Sequence, residues 1–172
     1  MKDKCIIDKC IIVDIDGTIA LDKHGEIIPT DFTREGWNDF HKHMDMYNAD
    51  RFIPIWSTID MIKCVVNDSL GTIAIFFVTA REDTGKGKIR DNTLELLTNY
   101  FPYVVDEQLY MRAENDFRSS AEVKRDILLH DILPKYNVLF AVDDEEDNIK
   151  MFQTLGITAY KVYLGDRVNG CE

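Results

Sequence analysis

Ile11-Ile12-Val13-Asp14-Ile15-Asp16-Gly17-Thr18 is the stretch that decides the fold of this chain. An apolar run that breaks off in two carboxylates, a glycine and a threonine reads as a buried strand with acids at its C-terminal end. In an open α/β sheet, ligands bind at that end. Asp14 and Asp16 stand side by side there, offset by one pleat. Gly17 lets the chain turn away with little bulk, and the Thr18 hydroxyl can fix the turn. Two carboxylates held this close repel each other unless a cation sits between them, and a hard divalent ion, Mg²⁺ first, suits all-oxygen ligands. If both acids merely capped the turn, their pairing at the end of one buried strand would go unexplained.

Outward from this strand, short apolar runs alternate with amphipathic segments, as in βαβ units. Ile55, Ile59, Ile62 and Val66 recur at helical spacing, and Thr72–Thr79 reads as the next strand. A helix is expected over about 88–100, with Ile89, Leu96, Leu97 and Tyr100 on one side and Pro102 beyond its end. A short strand near Leu109–Met111 follows. Ser119 and Ser120 offer N-caps to a helix carrying Val123, Ile127 and Leu128, which must stop by Pro134. Asn137–Val142 is a strand that ends in Asp143-Asp144. Glu145–Leu155 is a helix stopped by Gly156, and Thr158–Val162 is a last strand. The fold class expected is α/β, a mostly parallel sheet flanked by helices, in one domain over 1–172. The stretch between Thr18 and the second strand, which includes Trp37, His41, His43 and Tyr47, is longer than a simple crossover needs. Leu21–Ala49 is therefore expected to be a flap or small lid.

With 172 residues, 45% of them apolar, the chain can bury one good core. No apolar run is long enough to cross a bilayer, and Met1-Lys2-Asp3-Lys4 does not open a signal peptide, so no membrane association is expected. Cys5, Cys10, Cys64 and Cys171 are scattered, which predicts free thiols and no zinc site. The formal net charge of -11 argues against tight nonspecific binding to long nucleic acids. It leaves room for a nucleotide, because one Mg²⁺ and a few arginines can make an anion-binding mouth on an acidic surface.

Strands of a parallel sheet present their C-terminal ends to one edge, so Asp14 and Asp16, Thr79, and Asp143 and Asp144 should converge, with Lys124 reaching in from a helix. Acid pair, hydroxyl, lysine, acid pair, in that order, resembles the four motifs of the haloacid dehalogenase-like (HAD) phosphohydrolases with their Rossmann-like fold. The resemblance implies Asp14 as nucleophile, Asp16 as general acid and base, Thr79 and Lys124 on the phosphate, and Mg²⁺ held by Asp14, Asp16 through its main-chain carbonyl, Asp143 and Asp144. Which of Asp143 and Asp144 ligates directly stays open.

From Val78 to Val162 the chain is further similar to the 3′-phosphatase domain of phage-type polynucleotide kinase-phosphatases. Thr79-Ala80-Arg81-Glu82, Arg112, Asp116, Arg118, Lys124 and Ala141-Val142-Asp143-Asp144 carry that likeness. It implies substrate contacts at Arg81, Arg112, Asp116 and Arg118, although these last three with Glu114 also fit a set of surface salt bridges. The family's kinase half has no counterpart, since no G-x-x-x-x-G-K-[ST] loop occurs, so no kinase activity is expected. The family also places an arginine shortly after the first motif, where this chain reads Lys23-His24-Gly25-Glu26.

The function expected is thus a Mg²⁺-dependent phosphatase acting on the 3′-phosphate of a nucleic-acid end or nucleotide. It would work in the cytoplasm, the host's if the chain is phage-encoded. A 5′-nucleotidase is the alternative enzyme. A receiver-like phosphate-binding module is the alternative without turnover, disfavoured because receivers take their phosphorylated acid from a middle strand.

Overall fold

The computed structural model describes residues 8–23, 49–69, 71–83 and 88–163. Among them, strand β1 (Lys9–Val13) lies at the centre of a five-stranded sheet. It pairs in parallel with β4 (Ile73–Asp83) on one side and β6 (Asn137–Asp143) on the other. The edge strands β5 (Leu109–Ala113) and β7 (Ala159–Lys161) are also parallel. The Rossmann-like α/β architecture read from the sequence is the one observed.

A central parallel strand is covered on both faces, and this explains why β1 is apolar at every position after Lys9. Ile11 and Val13 face one core with Ile75 and Phe77 of β4, while Cys10 and Ile12 face the other with Phe76 and Val78. The first core is closed by α1 (Trp56–Asp68) through Ile59 and Ile62, and by α2 (Lys88–Tyr100) through Ile89, Leu96, Leu97 and Tyr100. The second is closed by α4 (Glu146–Thr154) through Met151 and Phe152, and by the π-helical turn Leu128–Ile132 that prolongs α3 (Ser120–Ile127). Each such side chain taken fully out of water contributes about 2 kcal/mol. Burial in this second layer pushes the Cys10 thiol up to about 12, so it behaves as a small apolar residue.

Two helix ends follow the expected chemistry. Ser119 caps α3 in a reciprocal box with Glu122: the Glu122 amide lies 3.3 Å from Ser119 Oγ, and the Ser119 amide donates to Glu122 Oε2 at 3.0 Å. Past α4, Gly156 takes φ +74° and the Ile157 amide closes back on the Phe152 carbonyl at 3.0 Å.

Two features depart from the sequence reading. β4 does not stop at Thr79 but runs to Asp83, with its pairing to β5 shifting register between Val78 and Glu82. The shift throws Thr79-Ala80-Arg81 out of the regular ladder at the sheet's C-terminal edge. Second, two three-residue strands, β2 (Ala20–Asp22) and β3 (Phe52–Pro54), form an antiparallel ribbon. Most of the expected flap, with Trp37, His41 and His43, lies outside the described residues. No described helix is long and apolar enough to cross a membrane.

Candidate active site

β1 ends at Val13, but the ladder goes one step further, with the Asp14 amide donating to the Val142 carbonyl at 3.0 Å. Asp14 is thereby fixed beside the end of β6, where Asp143 is fully buried. The chain then tightens, with the Thr18 and Ile19 amides both returning to the Ile15 carbonyl. Gly17 sits in this turn at φ +76°. A β-carbon there would lie 2.2 Å from Asp144 Oδ2, so glycine is required both by conformation and by the packing of Asp144 over it. Thr18 Oγ1 lies 3.2 Å from Asp14 Oδ2 and 3.4 Å from Asp144 Oδ1, sharing one proton between the two acids.

Lys124 projects from α3 into this group and is almost fully buried. Its Nζ donates to Asp14 Oδ1 and Asp143 Oδ2, both at 2.7 Å. The other Asp143 oxygen accepts from the Glu145 amide at 3.0 Å and from Asn148 Nδ2 at 2.9 Å. Asn148 Nδ2 also lies 3.1 Å from Ser120 Oγ, which ties α4 to the start of α3.

One oxygen from each of Asp14, Asp143 and Asp144 lies within 4.8 Å of the others. Burial drives the Asp14 pKa upward; Lys124 draws it back, and the neighbouring aspartates raise it again, leaving it well above the usual carboxylate range. Burial, then Asp143, push Asp144 up to about 6. Burial also disfavours the Lys124 ammonium, but Asp14 and Asp143 outweigh it and hold its pKa above the ordinary lysine value. Three acids thus face one ammonium, and the upward push on Asp14 and Asp144 is what a cation among them would relieve. All-oxygen donors fit Mg²⁺ in kind.

Asp16 stands apart from this cluster. Its carboxylate, about half exposed, is gripped at both oxygens by the buried Arg81: Nη2 to Oδ1 at 2.7 Å and Nε to Oδ2 at 2.8 Å. The carboxylate of Asp16 is therefore not among the clustered donors, and only its main-chain carbonyl is expected on the metal. Arg81, expected on the substrate, is turned onto Asp16, because a buried guanidinium needs a charged partner within reach. Thr79 is buried at the register shift, and its Oγ1 accepts the Arg81 amide at 3.2 Å. That bond uses a hydroxyl lone pair and not its proton.

The arginine cluster before Lys124 divides in two. Arg112 is buried and donates to the carbonyls of Ala80, Asp116 and Arg118, clamping the β5–α3 loop onto β4. Arg118 lies on the surface, paired with Asp116 at 2.7 Å and with Asp126. Arg118 and Asp116 thus form a surface ion pair, and Arg112 acts as a loop clamp. Asn148, Phe52 and Thr93 were not singled out by sequence, because an amide in a helix, an aromatic in a short strand and a helical threonine carry no chemical signature by themselves.

Residues 8–167 match the family model described as "Polynucleotide kinase PNKP phosphatase domain". The chain belongs to this HAD-like family. The match spans every residue of the site, from Asp14 to Asn148. A solved structure described as "Structure of Pnkp1/Rnl/Hen1 complex" shares the fold at TM-score 0.67 and 23% identity, covering 93% of this chain and 47% of that one. Another, "Structure of the Pnkp1/Rnl/Hen1 RNA repair complex", aligns at TM-score 0.66 and 24% identity, covering 93% and 44%. The chain thus spans about half the length of these solved relatives. No curated protein matches it.

Proposed function

We propose that the protein is a Mg²⁺-dependent phosphomonoesterase that removes the 3′-phosphate of a nucleic-acid end or nucleotide through an aspartyl-phosphate. The observation that carries this reading is the position of Lys124 Nζ, 2.7 Å from both Asp14 and Asp143, in a chain of the polynucleotide kinase phosphatase-domain family. Asp14, Asp143 and Asp144 would hold Mg²⁺, with the Asp16 main-chain carbonyl as a further ligand. When bound, the ion neutralises phosphate charge and lowers the repulsion between the phosphate and Asp14.

In the first step an Asp14 oxygen bonds to phosphorus while the bond from phosphorus to the ester oxygen breaks. Asp16, acting from its protonated form, gives its proton to that oxygen, which leaves as an alcohol. Asp16, now a carboxylate, takes a proton from water, whose oxygen bonds to phosphorus. The bond to Asp14 then breaks, releasing inorganic phosphate and restoring the Asp14 carboxylate. Lys124 offsets charge at Asp14 throughout, and the Thr79 hydroxyl donates to a phosphate oxygen. Arg81 orients Asp16 toward the leaving oxygen.

The test is phosphate release from 3′- and 5′-phosphorylated DNA and RNA oligonucleotides and from nucleoside 3′- and 5′-monophosphates, with Mg²⁺ or EDTA. RNA ends belong in the set because the solved relatives of this fold include an RNA repair complex. Release from 3′-phosphates with Mg²⁺ is expected, with none in EDTA and none from Asp14→Asn. Equal or better release from 5′-mononucleotides would replace this reading with a 5′-nucleotidase.

A further inference from the structure

We infer that Phe52 is a positioning residue for Asp16, acting through Arg81; this rests on the phosphatase reading above. The Arg81 guanidinium is held on three sides. Its fork grips Asp16, and Nη1 donates to Thr93 Oγ1 at 3.0 Å from α2. Phe52 covers its face, with the guanidinium carbon 4.6 Å from the ring centroid. Phe52 is buried, so this cation–π contact forms away from water, where such contacts are strongest.

The route by which Phe52 arrives gives the contact its meaning. The chain leaves Asp16 through a turn closed by the Asp16–Ala20 bridge and runs into β2. It returns as β3, with Phe52 in register with Asp22, and the neighbouring Arg51 Nε donates to Asp22 at 2.8 Å. The returning strand is thus fastened to the segment that carries Asp16. It places a ring on the arginine that aims the Asp16 carboxylate. Stacking resists tilting of the guanidinium plane, and a tilt of that plane would swing both of its bonds to Asp16.

A proton donor matters only when the leaving oxygen is a poor one. An alkyl alkoxide needs the proton of Asp16 as its bond to phosphorus breaks, whereas p-nitrophenolate departs without it. Because kcat/KM covers steps only through departure of the leaving group, it isolates this role from the later attack of water.

The experiment compares kcat/KM on a 3′-phosphorylated oligodeoxynucleotide and on p-nitrophenyl phosphate for the wild type, Phe52→Leu, Phe52→Tyr and Thr93→Val. Phe52→Leu keeps apolar bulk and loses the ring; a loss of about tenfold is expected on the oligonucleotide and less than about twofold on p-nitrophenyl phosphate. Phe52→Tyr retains both activities. Thr93→Val, which removes a different anchor of Arg81, reproduces the selective loss and tests the idea even if Phe52→Leu folds poorly. Equal losses on both esters, or none on either, in the folded variants would overturn the inference. A wild type that cleaves neither ester would instead overturn the phosphatase reading beneath it.

Discussion

Gly17 and Asp144 are packed so closely that a β-carbon on Gly17 would stand 2.2 Å from an Asp144 carboxylate oxygen. Gly71 shares the left-handed conformation, at φ +78°, but has nothing within 4 Å of the same position. The two glycines separate conformational strain from loss of the site. Gly17→Ala and Gly71→Ala should each lose about 1–2 kcal/mol from the backbone alone. Only Gly17→Ala also pushes Asp144 away from Asp14 and Asp143. Calorimetric titration should show Mg²⁺ affinity falling at least about tenfold in Gly17→Ala, the scale expected when a ligand is misplaced, and holding in Gly71→Ala. Equal Mg²⁺ affinity in both variants would refute a metal role for Asp144.

Lys124 is the counterweight to Asp14 and Asp143, and its removal should be felt most when no metal is present. Lys124→Met leaves two buried carboxylates facing each other, a loss of about 3–5 kcal/mol for a broken buried pair. Mg²⁺ restores positive charge to the same oxygens. Denaturant unfolding should therefore show a smaller loss in Mg²⁺ than in EDTA. An identical loss in both would mean that Lys124 contributes packing and not charge.

The residues that were legible in the sequence are those whose chemistry is local. An acid pair ending an apolar strand is visible at Asp14 and Asp16 and again at Asp143 and Asp144, and Ser119 announces the cap of the helix that carries Lys124. Arg81 and Glu82 misled, because charges ordinarily end a strand. Both are buried in β4, Arg81 by a pair with Asp16 sixty-five positions earlier and Glu82 by the Asn115 amide. Long-range pairing leaves no trace in local pattern. Strands of three residues, such as β2 and β3, are likewise too short for a period of two to register.

Stability should depend on pH in a way that metal reverses. Asp14 and Asp144 have folded pKa values raised above the unfolded aspartate value, Asp144 to about 6. In this range the folded state binds more protons than the unfolded one, so metal-free stability falls as pH rises through about 6. Mg²⁺ needs the deprotonated acids and so stabilises more as pH rises. Melting midpoints between about pH 5 and 8 should decline in EDTA and flatten or climb in excess Mg²⁺. Asp144→Asn should remove most of the decline near pH 6. A decline of the same size in that variant would assign the titration elsewhere.

Arg112 and Arg118 sit six residues apart and should behave as opposites. Arg112 holds the carbonyls of Ala80, Asp116 and Arg118 from a buried position, linking the Thr79–Arg81 segment to the loop that leads into α3. Arg112→Met leaves those carbonyls without their donor and should lose about 2–4 kcal/mol, with activity falling as Thr79 and Lys124 lose their relative placement. Arg112→Lys keeps the charge but cannot reach three carbonyls with one ammonium, so it should recover little. Arg118 is exposed, and its guanidinium is occupied by Asp116 and Asp126. Arg118→Ala should leave the melting midpoint nearly unchanged and KM for a 3′-phosphorylated oligonucleotide within about twofold, as for other exposed ion pairs. A large rise in KM for Arg118→Ala with the midpoint unchanged would place Arg118 on the substrate and overturn its assignment as a surface pair.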